Sequence, residues 1–315
     1  MTEPSAAPED LNCIFPLSTL KGSNPITKKG PIAPAILIVL WSLAPFYWLL
    51  NISFQATSDM YTIPANLFPP RPTLDNYLIA LGVIKTSSVS AGGLGLVPAF
   101  LSGIGNSTIV ASLVMALSLL LCIPAGYAFA RFSFPLRTTV FFLILFARSL
   151  PPISASIPYY QFYKEIGLLG TIPGLVFAHM TLTVPLTTWV LSGFFSSLPI
   201  ELDRQARIDG CSRLKMFTKV IIPIAAPGLA AVGILAWLTS WNEFIFALLL
   251  GYVKDLYTIA PAVASPIIGA TVANPTIFAT FTSISVIPAI IAAIILQRYM
   301  TRLRIVDPLT FRAPA

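Results

Sequence analysis

Long apolar runs alternate with short polar joints along this chain. The first run, at about residues 33–54, reads APAILIVLWSLAPFYWLLNISF. It is long enough to cross the ~30 Å hydrocarbon core of a bilayer. Further runs follow at about 105–130, 138–157, 173–194, 223–250 and 276–297. Backbone polar groups in lipid must be satisfied within a helix, so six such runs predict an all-α, polytopic membrane protein with six transmembrane helices. The pattern divides the chain into a polar tail at 1–32, a transmembrane domain at 33–299 and a basic tail at 300–315. Two polar stretches interrupt the domain, at 55–104 and at 198–222. The first starts with the proline-broken IPANLFPPRPTLDNYLIAL and reads as an external loop. Its second part, at 84–103, is rich in Gly and Ser and reads as a flexible insertion.

The second polar stretch is denser in charge. Leu198 to Pro227, LPIELDRQARIDGCSRLKMFTKVIIPIAAP, holds five basic residues (Arg204, Arg207, Arg213, Lys215, Lys219) and three acidic ones (Glu201, Asp203, Asp209). Pro199 suits a first helical turn, where its missing N–H is not needed. Glu201 and Asp203 then lie at the positive end of the helix dipole. Gly210 ends that helix by taking the left-handed conformation cheaply. The helix runs about ten residues, or roughly 15 Å. Ser212 is placed to cap a second short helix that ends near Lys219, before Pro223 opens a new apolar run. A helix–glycine–helix elbow of this kind is shaped to dock into something outside the membrane. A solvated loop joining two spans would carry a similar basic excess.

Composition agrees with the pattern. The chain is 56% hydrophobic and 10% charged, against about 45–50% and 25% in soluble domains. The long tail, the length of the first run and the lack of an A-x-A-like site argue against a cleaved signal peptide. Cys13, Cys122 and Cys211 lie far apart, and His179 is the single histidine, so neither a disulfide framework nor a zinc site is indicated. The net charge of +7 is distributed by side. If the tails, with Arg298 just before the second, the turn at 131–137 and the elbow share one side, that side carries fourteen Lys/Arg. The opposite loops carry four, Arg71, Lys85, Lys164 and Lys254, and Arg148 falls within a span. This asymmetry places both termini and the elbow in the cytoplasm, and it is a topological signal rather than a nucleic-acid footprint.

The order of residues in the elbow resembles the EAA loop of ABC importer permeases. Ala206, Asp209, Gly210, Phe217 and Pro223 fit that pattern, while Arg204 stands where the family has glutamate and Gln205 where it has its first alanine. The turn Arg131-Phe132-Ser133-Phe134-Pro135-Leu136-Arg137 is similar to the family's ARFxFPGR turn, with Leu136 in place of glycine. Leu150-Pro151-Pro152, Gly167-Leu168-Leu169, Gly193-Phe194-Phe195, Trp241-Asn242-Glu243-Phe244 and Gln297-Arg298-Tyr299 extend the likeness over roughly 33–300. The carbohydrate type, similar to maltose and glycerol-phosphate importer subunits, matches best. The resemblance implies a coupling loop at 198–222, with Glu201, Asp203, Arg204, Ala206, Arg207, Asp209, Gly210 and Phe217 facing an ATPase. It further implies a second, homologous permease subunit, two ATPase subunits that hold ATP and Mg, an extracytoplasmic substrate-binding protein and a bacterial-type inner membrane. The substrate expected is a sugar, such as an oligosaccharide or disaccharide, or a polyol; glycerol phosphate or another small polar solute is the alternative within the class. The chain itself has no G-x-x-x-x-G-K-[ST] phosphate loop, so neither enzymatic activity nor a bound cofactor is expected of it.

Ionisable residues inside a membrane are costly and face a cavity or a partner. Arg148 and Glu243, with Asn242 and the aromatic Trp241, are therefore candidates for the substrate pathway. Structural roles compete for each: snorkelling for Arg148, an interhelical or inter-subunit hydrogen bond for Glu243, packing for Trp241. His179, alone on an apolar run, reads as a core histidine with satisfied nitrogens. A secondary transporter would need inverted repeats and broken-helix ion sites, and no internal repeat is found. A membrane-embedded enzyme would need a clustered acid, base or metal set, and the polar residues are scattered.

Overall fold

The computed structural model describes residues 32–84, 96–251, 256–264 and 275–302. The expected tails and most of the 84–103 insertion lie outside the described residues. The chain divides into two compact units, Met1–Tyr47 and Trp48–Ala315. In the first, the described residues are helical from Ile32, and their large apolar side chains, Leu37 and Trp41 among them, are exposed.

The helix α1 (Ile32–Ser53) is followed by the short α2 (Thr57–Met60) and α3 (Asp75–Ala80). The second unit is then built on α4 (Leu96–Arg131), α7 (Ile172–Ser197) and α10 (Ile222–Trp241). The helix α7 packs along α4, and α10 packs against α4, α7 and α12 (Pro275–Arg302). Close approach rests on small residues, as it commonly does between helices in lipid. A Cβ on Gly126 of α4 would lie 2.7 Å from the Leu191 Cβ and 3.2 Å from backbone atoms of α7. One on Gly228 of α10 would lie 2.4 Å from the tip of the Phe194 ring.

Among the described residues five helices are long and apolar enough to cross a membrane, and six spans result if one bent pair counts as a span. That pair is α5 (Arg137–Arg148) and α6 (Pro152–Glu165), which meet at 91°. The third span, expected at about 138–157, is thus a bent pair that reaches Glu165. Pro151 and Pro152 disfavour helical backbone in the residues before them, and the chain turns there. The second span begins at Leu96 rather than 105, because Gly103 and Gly105 stay within a continuous helix. The fifth is displaced as well. A single helical run covers Arg213–Trp241, through α9 (Arg213–Met216) and a π-helical turn at Phe217–Ile221 into α10. The wider π turn comes just before Pro223, whose ring cannot donate into a regular ladder. The second elbow helix is thus the start of the span. The run breaks at 242–244, where a span to residue 250 was expected, and a π-helical turn at Ala247–Gly251 and α11 (Ile259–Ala264) follow.

Candidate functional site

The elbow's helix α8 (Glu201–Ile208) has eight residues, not ten. Pro199 and Ile200 form the turn before it, with the Leu202 and Asp203 N–H groups donating to their carbonyls. Gly210 ends the helix with φ +74°, and nothing lies within 4 Å of where its Cβ would be. Ser212 caps α9 by accepting from the Lys215 N–H at 3.4 Å.

The acidic residues of α8 part company. Asp203 is buried and turned toward the end of α4. Its Oδ1 accepts from the Tyr127 hydroxyl at 2.6 Å. Its Oδ2 lies 3.0 Å from Arg131 Nε, at ion-pair distance but off the hydrogen-bond angle. Arg131 Nη2 donates to the Leu198 carbonyl at 2.8 Å. A buried carboxylate is tolerable only when paired in this way, so Asp203 fastens α8 to α4. Glu201 and Arg204 are exposed, 3.8 Å apart. Arg207 and Asp209 are exposed as well.

Ala206 faces inward, in one cluster with Tyr127, Leu191, Phe195, Met216 and Ile221. Phe217 joins that cluster, its ring 4.8 Å from that of Tyr127. The outward face holds two apolar side chains that the sequence reading passed over, Ile208 (84% exposed) and Leu214 (73% exposed). Tyr127 belongs to no motif in the sequence, and Arg131 stands out there only by its charge and as the start of the 131–137 turn. Nothing in the local sequence of either points to Asp203, which is 76 residues from Tyr127.

The pathway candidates do not converge. Arg148, exposed at the end of α5, donates from Nη1 to the Leu182 carbonyl on α7 at 2.5 Å. Trp241 is buried and stacked on Trp237 with centroids 4.8 Å apart. Asn242 is exposed and donates back to the Leu238 carbonyl at 2.9 Å. Glu243 is buried at the break after α10. Its oxygens accept from the Phe246 and Ala247 N–H groups at 2.9 and 3.0 Å, capping the next helical turn. Its Oε2 also lies 3.2 Å from His179 Nε2, while His179 Nδ1 is 2.8 Å from the Ser240 hydroxyl. The Nε2 contact is at ion-pair distance but off the hydrogen-bond angle, whereas Nδ1 shares a hydrogen bond with the Ser240 hydroxyl. The backbone donors freed at the break thus find a carboxylate, with a histidine close beside it. Among the described residues no group of three or more His, Cys, Asp or Glu could hold a metal ion.

The chain is similar to known proteins. The chain is 35% identical to the sulfoquinovosyl glycerol transport system permease protein SmoH of Agrobacterium fabrum, over 69% of this chain and 71% of that one. It is 32% identical to the trehalose/maltose transport system permease protein MalG of Thermococcus litoralis, over 85% of this chain and 92% of that one. A crystal structure of a bacterial ABC transporter involved in the import of the acidic polysaccharide alginate superposes with a TM-score of 0.69 at 21% identity, over 85% of this chain and 95% of that one. That likeness establishes the fold alone. The family model of the binding-protein-dependent transport system inner membrane component matches residues 122–305, a stretch that includes the elbow and the break after α10. The chain belongs to that family: it is a permease subunit of a binding-protein-dependent ABC importer, a multi-pass inner membrane protein that is not itself catalytic.

Proposed function

We propose that this subunit passes a glycoside, a disaccharide or a small glycosylated polyol, into the cell, and that the elbow at 198–222 takes the push of a cytoplasmic ATPase. The substrate class rests on the relatives, whose names give trehalose, maltose and sulfoquinovosyl glycerol. The coupling role rests on one observation: α8 is fastened from behind by Asp203 while Ile208, Gly210 and Leu214 face outward. A knob that transmits force must be rigid toward its own spans and apolar toward its partner. In this reading Ile208, Leu214, Glu201, Arg204, Arg207 and Asp209 meet the ATPase, Gly210 sets the angle between them, and Ala206 and Phe217 support the knob from within. ATP and Mg belong to the ATPase pair, a second permease completes the pathway, and a binding protein delivers substrate from outside.

Gly210 offers a clean test, since its Cβ would meet no neighbour and any effect of substitution is conformational. Asn tolerates positive φ and Val does not. In the reconstituted complex, Gly210→Asn should keep trehalose uptake and substrate-stimulated ATP hydrolysis close to the parent's. Gly210→Val should lower both at least several-fold with the spans still inserted. Equal activity of the two variants would rule out the elbow as the coupling element. If the parent complex takes up no glycoside but does take up glycerol phosphate, the substrate class is wrong and the coupling role survives.

A further inference from the structure

We propose that the loop between α2 and α3 is an interfacial anchor, its apolar tip seated in the headgroup boundary of the bilayer on the side where α1 ends. The tip is apolar and outward-facing: Ile63 is 97% exposed and Tyr61 65% exposed, and the side chains of Leu67, Phe68 and Leu74 are exposed too. A loop that merely crossed water would not present so many large apolar groups together.

The loop is also held firmly. The Asp59 carbonyl accepts from Thr62 Oγ1 at 2.8 Å and from Asn66 Nδ2 at 3.1 Å. The Asp59 carboxylate is gripped by Arg71 Nε at 3.3 Å and Nη2 at 2.5 Å. Those hydrogen bonds hold the Asp59 carboxyl below its ordinary pKa. The loop base is closed by the Thr73 N–H on the Phe54 carbonyl and by Asn76 Nδ2, which donates to the Ser53 and Gln55 carbonyls.

These bonds fix where the tip lies. Asn51, in the last turn of α1, donates to the Asn66 carbonyl at 2.9 Å. Thr57 bonds Thr276, the second residue of α12, at 3.1 Å. Both α1 and α12 are membrane spans by length and composition, so the loop is tied at the level where two spans leave the hydrocarbon. Its chemistry suits that level. Tyr61 has an apolar ring and a polar tip, the type enriched at membrane–water interfaces. Residues 60–74 include no acidic side chain, and their one charge, Arg71, is 75% exposed beside its Asp59 partner. An exposed guanidinium next to an apolar tip pairs naturally with lipid phosphate.

The test uses the full chain in its complex, in nanodiscs of phosphatidylethanolamine and phosphatidylglycerol. Cys13 and Cys211 are replaced by serine and Cys122 by alanine, and a nitroxide is attached through Tyr61→Cys or Ile63→Cys. Collision rates with oxygen, which partitions into lipid, and with a neutral nickel chelate, which stays in water, report the surroundings. Oxygen-to-nickel ratios several-fold above that of a label at the exposed Asp75 are expected at both sites. Ratios equal to the Asp75 ratio would place the tip in water and overturn the proposal. Protection from both reagents would place it against protein, such as a soluble binding protein or a neighbouring subunit, and would overturn it equally.

Discussion

Leu136 holds a conformation that its side chain resists. It lies at φ +61°, ψ 12°, immediately before α5, in the left-handed region that costs an ordinary residue roughly 1–2 kcal/mol. Its position matches the glycine of the family's turn, so the sequence marked the departure and the structure shows its physical content: the backbone kept the glycine shape without the glycine. Leu136 is 71% exposed, so little burial offsets the strain. Leu136→Gly should therefore stabilise the chain, although the extra freedom of glycine in the unfolded state takes back about 0.5–1 kcal/mol. A small rise in the melting temperature of the detergent-solubilised protein is expected, with unchanged coupling. A fall would mean that the exposed leucine contacts something in the micelle or complex that offsets its strain. Asp203 shows the opposite limit on sequence reading. It sits in a charged loop and reads as a surface contact, yet its partners are Tyr127 and Arg131 on a distant helix. Only the packing of α8 on the end of α4 reveals it as an anchor.

At the scale of elements, hydropathy located the spans but not their seams. Apolar run length carries most of the information about a membrane helix, which is why α1, α7 and α12 fall within a few residues of their expected bounds. The seams depend on how freed backbone groups are satisfied, which no run length encodes. Pro223 looked like a start and lies within a continuous helix after a π turn. Asn242 to Phe244 looked like span and is a break, made tolerable by the Glu243 cap. Glycine was ambiguous in the same way, since Gly126 and Gly228 are sites of close helix approach and Gly210 is a true terminator. The two packed glycines differ in what opposes a side chain. At Gly126 the obstacle is the Leu191 Cβ and the backbone of α7, which cannot give locally. At Gly228 it is the far end of the Phe194 ring, which can swing aside. Overpacking of a fitted interface costs about 1–3 kcal/mol. Gly126→Ala should therefore lower the melting temperature clearly more than Gly228→Ala. Equal losses would show that the α4–α7 contact relaxes as readily as a single ring.

For the molecule as a whole, helices alone do not say which end is inside, because a bundle of spans is as apolar one way up as the other. Orientation is carried by the loops, and here by fourteen Lys/Arg against four. From that asymmetry we propose that the tails, the turn at 131–137 and the elbow lie together in the cytoplasm. The proposed coupling role needs this side, where an ATPase could reach the elbow's apolar front. The loop between α2 and α3, with Arg71, then belongs outside. Two cysteine variants check both halves of the assignment, in a background where Cys13 and Cys211 are replaced by serine and Cys122 by alanine. Lys215 is exposed just beyond the Ser212 cap, and Arg71 is exposed at the far end of α1. An impermeant maleimide added to intact cells should label Arg71→Cys and leave Lys215→Cys untouched. The same reagent added to inside-out vesicles should reverse the result. Labelling of Lys215→Cys in intact cells would invert the molecule, and with it every cytoplasmic role assigned to the elbow. Labelling of both sites from one side would break the count of spans between residues 71 and 215, and the bent pair α5–α6 would then have to be a re-entrant hairpin rather than a crossing.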